Sequence, residues 1–203
     1  MPLSKERRTA DSRGYTLMEL MVSMTIGLIV MASVATTFTS QTRTYSAQEQ
    51  INQMEQNARG ALDIMSREIK MAGYKPNGGS VTGVVSYSST SLTIQADLNG
   101  DGIVSTSGSD HEQIAYAYDS ANKRITRQVG NDAAAILAEN ISALTFTYYQ
   151  STGTSYATSA TTIRRIQISL TAKTEKPDPG YPSDGGYRTV DVSTTITPIN
   201  LGL

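Results

Sequence analysis

The sequence predicts an α+β chain in which one long amino-terminal helix, membrane-spanning over its first part, packs on a carboxy-terminal antiparallel β-sheet domain. Three observations carry that expectation. Residues 15–38 hold one charged side chain, Glu19. Apolar residues then recur at spacings of three or four from Ile51 to Ala72, and after Gly79 the spacing changes to two.

Taken in order, residues 1–14 carry Lys5, Arg7, Arg8 and Arg13 against Glu6 and Asp11. Residues 15–38 would make a helix roughly 36 Å long at 1.5 Å per residue, enough to cross a hydrocarbon core of about 30 Å. The cations ahead of the span keep the amino terminus cytoplasmic and export everything after Ser40. No proline or turn cluster interrupts the chain up to Gly73, so the helix continues as an amphipathic one over residues 39–73. Its stripe is Ile51, Met54, Ala58, Leu62, Met65, Ile69 and Ala72. Gly73, Pro76, Asn77, Gly78 and Gly79 then stop it.

Residues 74–203 read as a β-rich domain on the far side of the membrane. Alternation runs through Leu92, Ile94 and Ala96, through Ile114, Tyr116 and Tyr118, and through Ile125, Arg127 and Val129. It resumes at Leu144, Phe146 and Tyr148, at Ile166, Ile168, Leu170 and Ala172, and at Val190, Val192, Thr194 and Ile196. Turn chemistry at residues 119–123 makes 113–129 a hairpin. Residues 151–162 and 174–186 read as surface loops. One greasy face per strand asks for an apolar partner, and the Ile51 to Ile69 stripe supplies it.

Composition removes several function classes. Lys plus Arg total 17 against 18 Asp plus Glu, a formal net charge of -1, so no cationic excess favours nucleic acid. There is no cysteine, which excludes disulfides, thiolate metal sites and thiol nucleophiles. The single histidine, His111, leaves no multi-histidine metal site, and no glycine-rich phosphate loop or GxSxG elbow occurs. Serine and threonine, 23 and 26 residues, suit sheets with wet outer faces. The chain is expected not to be an enzyme.

A carboxylate early in a membrane span is expensive, about 2.5–3.5 kcal/mol on insertion scales, so Glu19 needs a partner. Cutting after Gly14 would create a cationic amine on Tyr15, four residues before Glu19. The amine of a neighbouring chain would serve equally and set axial register. The competing reading is a secretory leader cut after Ser33-Val34-Ala35, which sits badly with an acid at the start of the apolar run.

The segment Arg13-Gly14-Tyr15-Thr16-Leu17-Met18-Glu19-Leu20 resembles the class III signal of type IV pilins and type II secretion pseudopilins. The resemblance implies cleavage of residues 1–14 by prepilin peptidase after Gly14, methylation of the new amine on Tyr15, and docking of Glu19 into a growing fibre. Tyr15 stands where that family usually has Phe. Gln56-Asn57-Ala58-Arg59, Ser66-Arg67-Glu68-Ile69 and Ala72-Gly73-Tyr74 are similar to PilW-type minor pilins, and Ala138-Glu139-Asn140-Ile141 to J-type minor pseudopilins. What this implies is a minor pilus subunit that helps prime assembly. Its partners would be other minor and major pilins, the peptidase and an inner-membrane assembly platform, and it would pass from the inner membrane to the fibre. A minor pseudopilin of type II secretion and a calcium-dependent surface adhesin are the alternatives.

Asp97, Asn99 and Asp101, with Gly102 at position six, open a loop like that of an EF-hand calcium site, and the Ile103 carbonyl and Ser105 would follow. Position twelve is Gly108, so Glu112 or Asp110 would have to close the site. The alternative is an acidic turn whose carboxylates bond local amides. Asp110-His111-Glu112 reads as a solvated cluster. Lys123, Arg124, Arg127, Arg164 and Arg165 read as water-facing strand charges rather than a binding patch.

Overall fold

The computed structural model describes residues 14–107, 109–150 and 155–201. Most of the expected leader, position twelve of the acidic loop and the first part of the 151–162 loop fall outside them. The chain divides into two compact units, Met1–Ser46 and Ala47–Leu203.

One helix, α1 (Leu17–Lys70), supplies the helical part of both units. Within the first unit every described residue is exposed, and the apolar side chains from Tyr15 to Phe38 have no protein cover. Thr16 caps the helix, its Oγ1 accepting the Glu19 N–H at 3.2 Å while its carbonyl accepts from Leu20 N.

In the second unit α1 buries Met54, Ala58, Ala61, Leu62, Met65 and Ile69; of the expected stripe Ile51 is only half-buried and Ala72 is buried just past the helix end, while Ala61 joins it. Beyond Lys70 the chain tightens through Met71 and Ala72, whose amides bond the Glu68 and Ile69 carbonyls. Gly73 turns it at φ +80°, its N–H held by the Gln95 carbonyl at 2.8 Å. A Cβ on Gly83 would stand 2.8 Å from the Gly73 nitrogen, so this crossing of two backbones needs glycine on grounds of space.

A five-stranded antiparallel meander follows: β1 (Val84–Tyr87), β2 (Ser91–Gln95), β3 (Gln113–Asp119), β4 (Arg124–Val129) and β5 (Ala135–Glu139), paired in that order. The remaining strands, β6 (Ile141–Tyr149), β7 (Arg165–Lys173) and β8 (Thr189–Ile196), form a second antiparallel sheet. The 113–129 hairpin is present as β3 and β4. Strands β1 and β5 were not legible. Val84–Tyr87 is four residues with a bulge, and Ala135–Glu139 is composed of good helix formers.

The alternating residues of both sheets and the stripe of α1 share one core. Tyr116, Leu92, Ile125, Ile141, Leu144, Ile166, Ile168 and Leu170 are all but fully buried with Met65 and Ile69. The α+β expectation of a helix packed on antiparallel sheet holds. Asn140, at φ 58°, carries the chain from β5 into β6, and the Lys173 N–H binds its carbonyl.

Candidate functional site: the amino-terminal helix segment

A helix segment in apolar surroundings must satisfy its polar groups internally. The hydroxyls of α1 do so. Ser23, Thr25, Ser33 and Thr37 each donate to the carbonyl four residues back, at 2.8–2.9 Å, and Thr36 donates to the Ser33 carbonyl. What they leave on the surface is largely methyl, methylene and thioether. The helix is long and apolar enough to cross a membrane.

Gly14, Tyr15 and Thr16 precede the helix, Tyr15 is 84% exposed, and Glu19 lies in the first turn. Threonine at the cap and glutamate three residues on is the capping-box spacing. The bond from Glu19 N to the Thr16 hydroxyl is its amide half, and the Thr-x-x-Glu spacing is the sequence signal for it. Among the described residues the Glu19 carboxylate has no ion-pair partner, although the first turn of a helix favours an anion. The segment thus presents an exposed tripeptide, a capped helix start and one carboxylate within an apolar surface.

The other acidic residues singled out from sequence are arranged differently. Asp97 and Glu112 are fully buried. Asp97 accepts Gly100 N at 2.7 Å and Gly102 N at 3.0 Å, while Glu112 accepts Leu98 N, Asn99 N and Ser105 N at 2.7–3.2 Å. Asn99 accepts Asp101 N, and Asp101 accepts Ile103 N, both at 2.8 Å. Asp97 and Glu112 hold the same loop from two sides, and backbone amides occupy carboxylate oxygens of both. Among the described residues no group of three or more acidic or histidine side chains is disposed to hold a metal. His111 is near Ser109, whose carbonyl lies 3.1 Å from its Nδ1, and Asp110 is held below the usual carboxylate range by Ser105 and Ser109 hydroxyls.

The charged strand residues need correction in one respect. Arg127 turns toward α1 rather than open water. Its Nε and Nη2 bind both oxygens of Glu68 on α1 at 2.6–3.1 Å, and the Tyr116 hydroxyl donates to the same carboxylate. Both partners of this ion pair are less than a quarter exposed. The Glu68 hydrogen bond raises the Arg127 pKa, and burial followed by the same carboxylate pushes the Tyr116 phenol far above its ordinary value. Arg124 pairs with Asp119 at 3.0 Å and the Arg165 guanidinium lies 4.8 Å over the Tyr149 ring. These cations are distributed among separate partners rather than gathered into one patch.

Two family models place this arrangement, a capped apolar helix with one early acid continued by a stripe under an antiparallel sheet domain, in the type IV pilin and pseudopilin superfamily. A family model of the prokaryotic N-terminal methylation motif matches residues 9–35. That of prepilin peptidase-dependent protein B matches residues 47–183, about two thirds of the chain, and the chain belongs to this family. It is a type IV pilin-like protein processed by prepilin peptidase. A type IV-like pilin from Thermus thermophilus is similar at 14% identity, with 72% of this chain and 97% of that chain covered and a TM-score of 0.48. A search of curated proteins gave no match.

Proposed function

We propose that this chain is a minor type IV pilus subunit that helps prime fibre assembly. The peptidase cuts after Gly14, the new amine on Tyr15 is methylated, and the mature chain waits in the inner membrane on its residues 15–38. Extraction into the fibre replaces lipid around α1 with the helices of neighbouring subunits. The observation that carries this reading is Glu19, a carboxylate in the first turn of an apolar, uncovered helix segment, with no partner among the described residues. A cationic amine at the start of an adjacent chain neutralises it and fixes the axial position of one subunit against the next. The role is structural, and the other minor and major pilins and the assembly platform are its partners.

Intact mass of the membrane-extracted protein tests the processing. The expected species lacks the first 14 residues and carries one added methyl group. A species lacking 35 residues would replace this reading with a secretory leader.

A further inference from the structure

Sheet edges present unpaired N–H and C=O groups, and folded proteins usually blunt them. This domain has four edges, and three are blunted. β1 is four residues long, bulged between Val84 and Ser86, and its neighbour is the 3-10 turn Ala160–Thr162. β5 has five residues, pairs with β4 through a bulge, and its Glu139 carbonyl is capped by the Asn57 amide at 3.0 Å. The outer edge of β6 is tied to the larger sheet, Ile141 N to the Lys123 carbonyl and Phe146 N to the Ser89 carbonyl, while the Tyr118 hydroxyl lies on the Ile141 and Ser142 carbonyls.

The fourth edge is β8, and it is open. Its eight residues pair with β7 without a register shift and include no proline, glycine or lysine. Among the described residues no hydrogen bond reaches its far side. Its inward-pointing Val190 and Val192 are only half-buried, whereas the neighbouring Ile168 and Leu170 of β7 are covered. The core is therefore left unfinished along this line.

We propose that an extended segment of a different, neighbouring pilin-like subunit adds to β8 as a fourth strand. This deepens the minor-subunit reading and rests on it. The edge is roughly 27 Å long at about 3.4 Å per residue. One strand pairing of that length buries well under the ~1,000 Å² that an independent interface needs. It works only between chains already held together by a shared membrane or fibre, where the effective concentration is high. Charge favours a different chain over a second copy. The outward row Thr189, Asp191, Ser193 and Thr195 has one charge, an anion. A β8-to-β8 pairing centred on Val192 would set the two Asp191 carboxylates on a cross-strand diagonal, roughly 7–8 Å apart. The fitting strand carries Lys, Arg or hydroxyl groups on that face and aliphatic groups beside Val190 and Val192.

Because the chain has no cysteine, Thr195→Cys provides one attachment point on it for a benzophenone maleimide. The label is applied to full-length protein in membranes of cells making the complete assembly system, and adducts are identified by mass spectrometry. The expected product joins this chain to another chain bearing a class III leader. It falls roughly fivefold or more when Ser193→Lys places an edge lysine on the exposed face, a change that leaves the core untouched. The same label at Ile136→Cys on β5 gives no such product. The proposal is overturned by no adduct at β8, by an adduct of two copies only, by an adduct to any other class of protein, or by a yield indifferent to Ser193→Lys. Sheared fibres from the same cells separate the two readings. A β8 adduct with no chain in fibres removes the fibre role and keeps the edge, and the reverse removes the edge alone.

Discussion

Helix α1 carries two glutamates in apolar surroundings, and the molecule treats them oppositely. Glu68 is clamped by Arg127 and Tyr116, so its charge is neutralised within the folded domain. Glu19 has no such clamp among the described residues and lies on a wholly exposed helix turn. The difference teaches where each stretch completes itself. Around Glu68 the fold provides the counter-charge, while around Glu19 the described residues provide none, and the proposed function assigns that task to the amine of another chain.

The sharpest way to break the comparison is at Glu19. Glu19→Leu should insert and be processed normally, yet its ratio in sheared fibres to membranes should fall about tenfold or more, the loss expected when roughly 1.4 kcal/mol of pairing disappears. Immunoblotting of both fractions reads this, and unchanged incorporation would remove the carboxylate from the mechanism.

At Glu68 the expected effect is on stability alone. Glu68→Gln leaves the Arg127 guanidinium half-buried without its anion, and should cost about 2–3 kcal/mol in urea unfolding, less than for a fully buried pair because water reaches both groups. Adding Arg127→Met should return part of that loss, since a neutral pair no longer carries an unmatched charge. Additive losses would show that the two residues do not act as a pair.

The acidic loop extends the contrast to Asp97 and Glu112. Asp97→Ala should lower stability by about 1–3 kcal/mol, because two half-buried amides lose their acceptor. The drop should be the same in a chelator as in millimolar calcium. A melting temperature that rises with calcium in the parent chain and not in Asp97→Ala would assign the loop an ion.

The smallest effect is the pH dependence at the alkaline end. Burial raises the phenol pKa of Tyr148 as well as that of Tyr116. Both remain protonated in the folded state where the unfolded chain ionises, near pH 10. Their contribution is thus complete below pH 10 and declines as pH rises beyond it. Urea midpoints between pH 8 and 11 should be level and then fall, and Tyr148→Phe should flatten the fall. At the acidic end Asp119, held down chiefly by the Asn122 amide, and Asp178, held down by Gly180 N–H and Arg188, act in the opposite sense, stabilising above about pH 4 and less below it.

Much of this was legible in a single chain of letters because periodicity and termini are local properties. A run from Tyr15 to Phe38 with one charge, a stripe from Met54 to Ile69, and strands that alternate as Ile166, Ile168 and Leu170 do follow from residue spacing alone. Short strands built from ambiguous residues, β1 and β5, acquired their state only from the partners they hydrogen-bond. The position of Glu68 beneath Arg127, residues 59 apart, and the amide cage around Glu112 were equally out of reach.

The sequence by itself determined the membrane-length helix, the change of period after Gly79 and the acid five residues behind Gly14, since each depends on side chains within a few turns of one another. Only the tertiary structure decided which charges are neutralised at home and which edge of the sheet stays open. Those outcomes depend on the register of strands far apart in the chain, and register is set by the shared core rather than by any one segment.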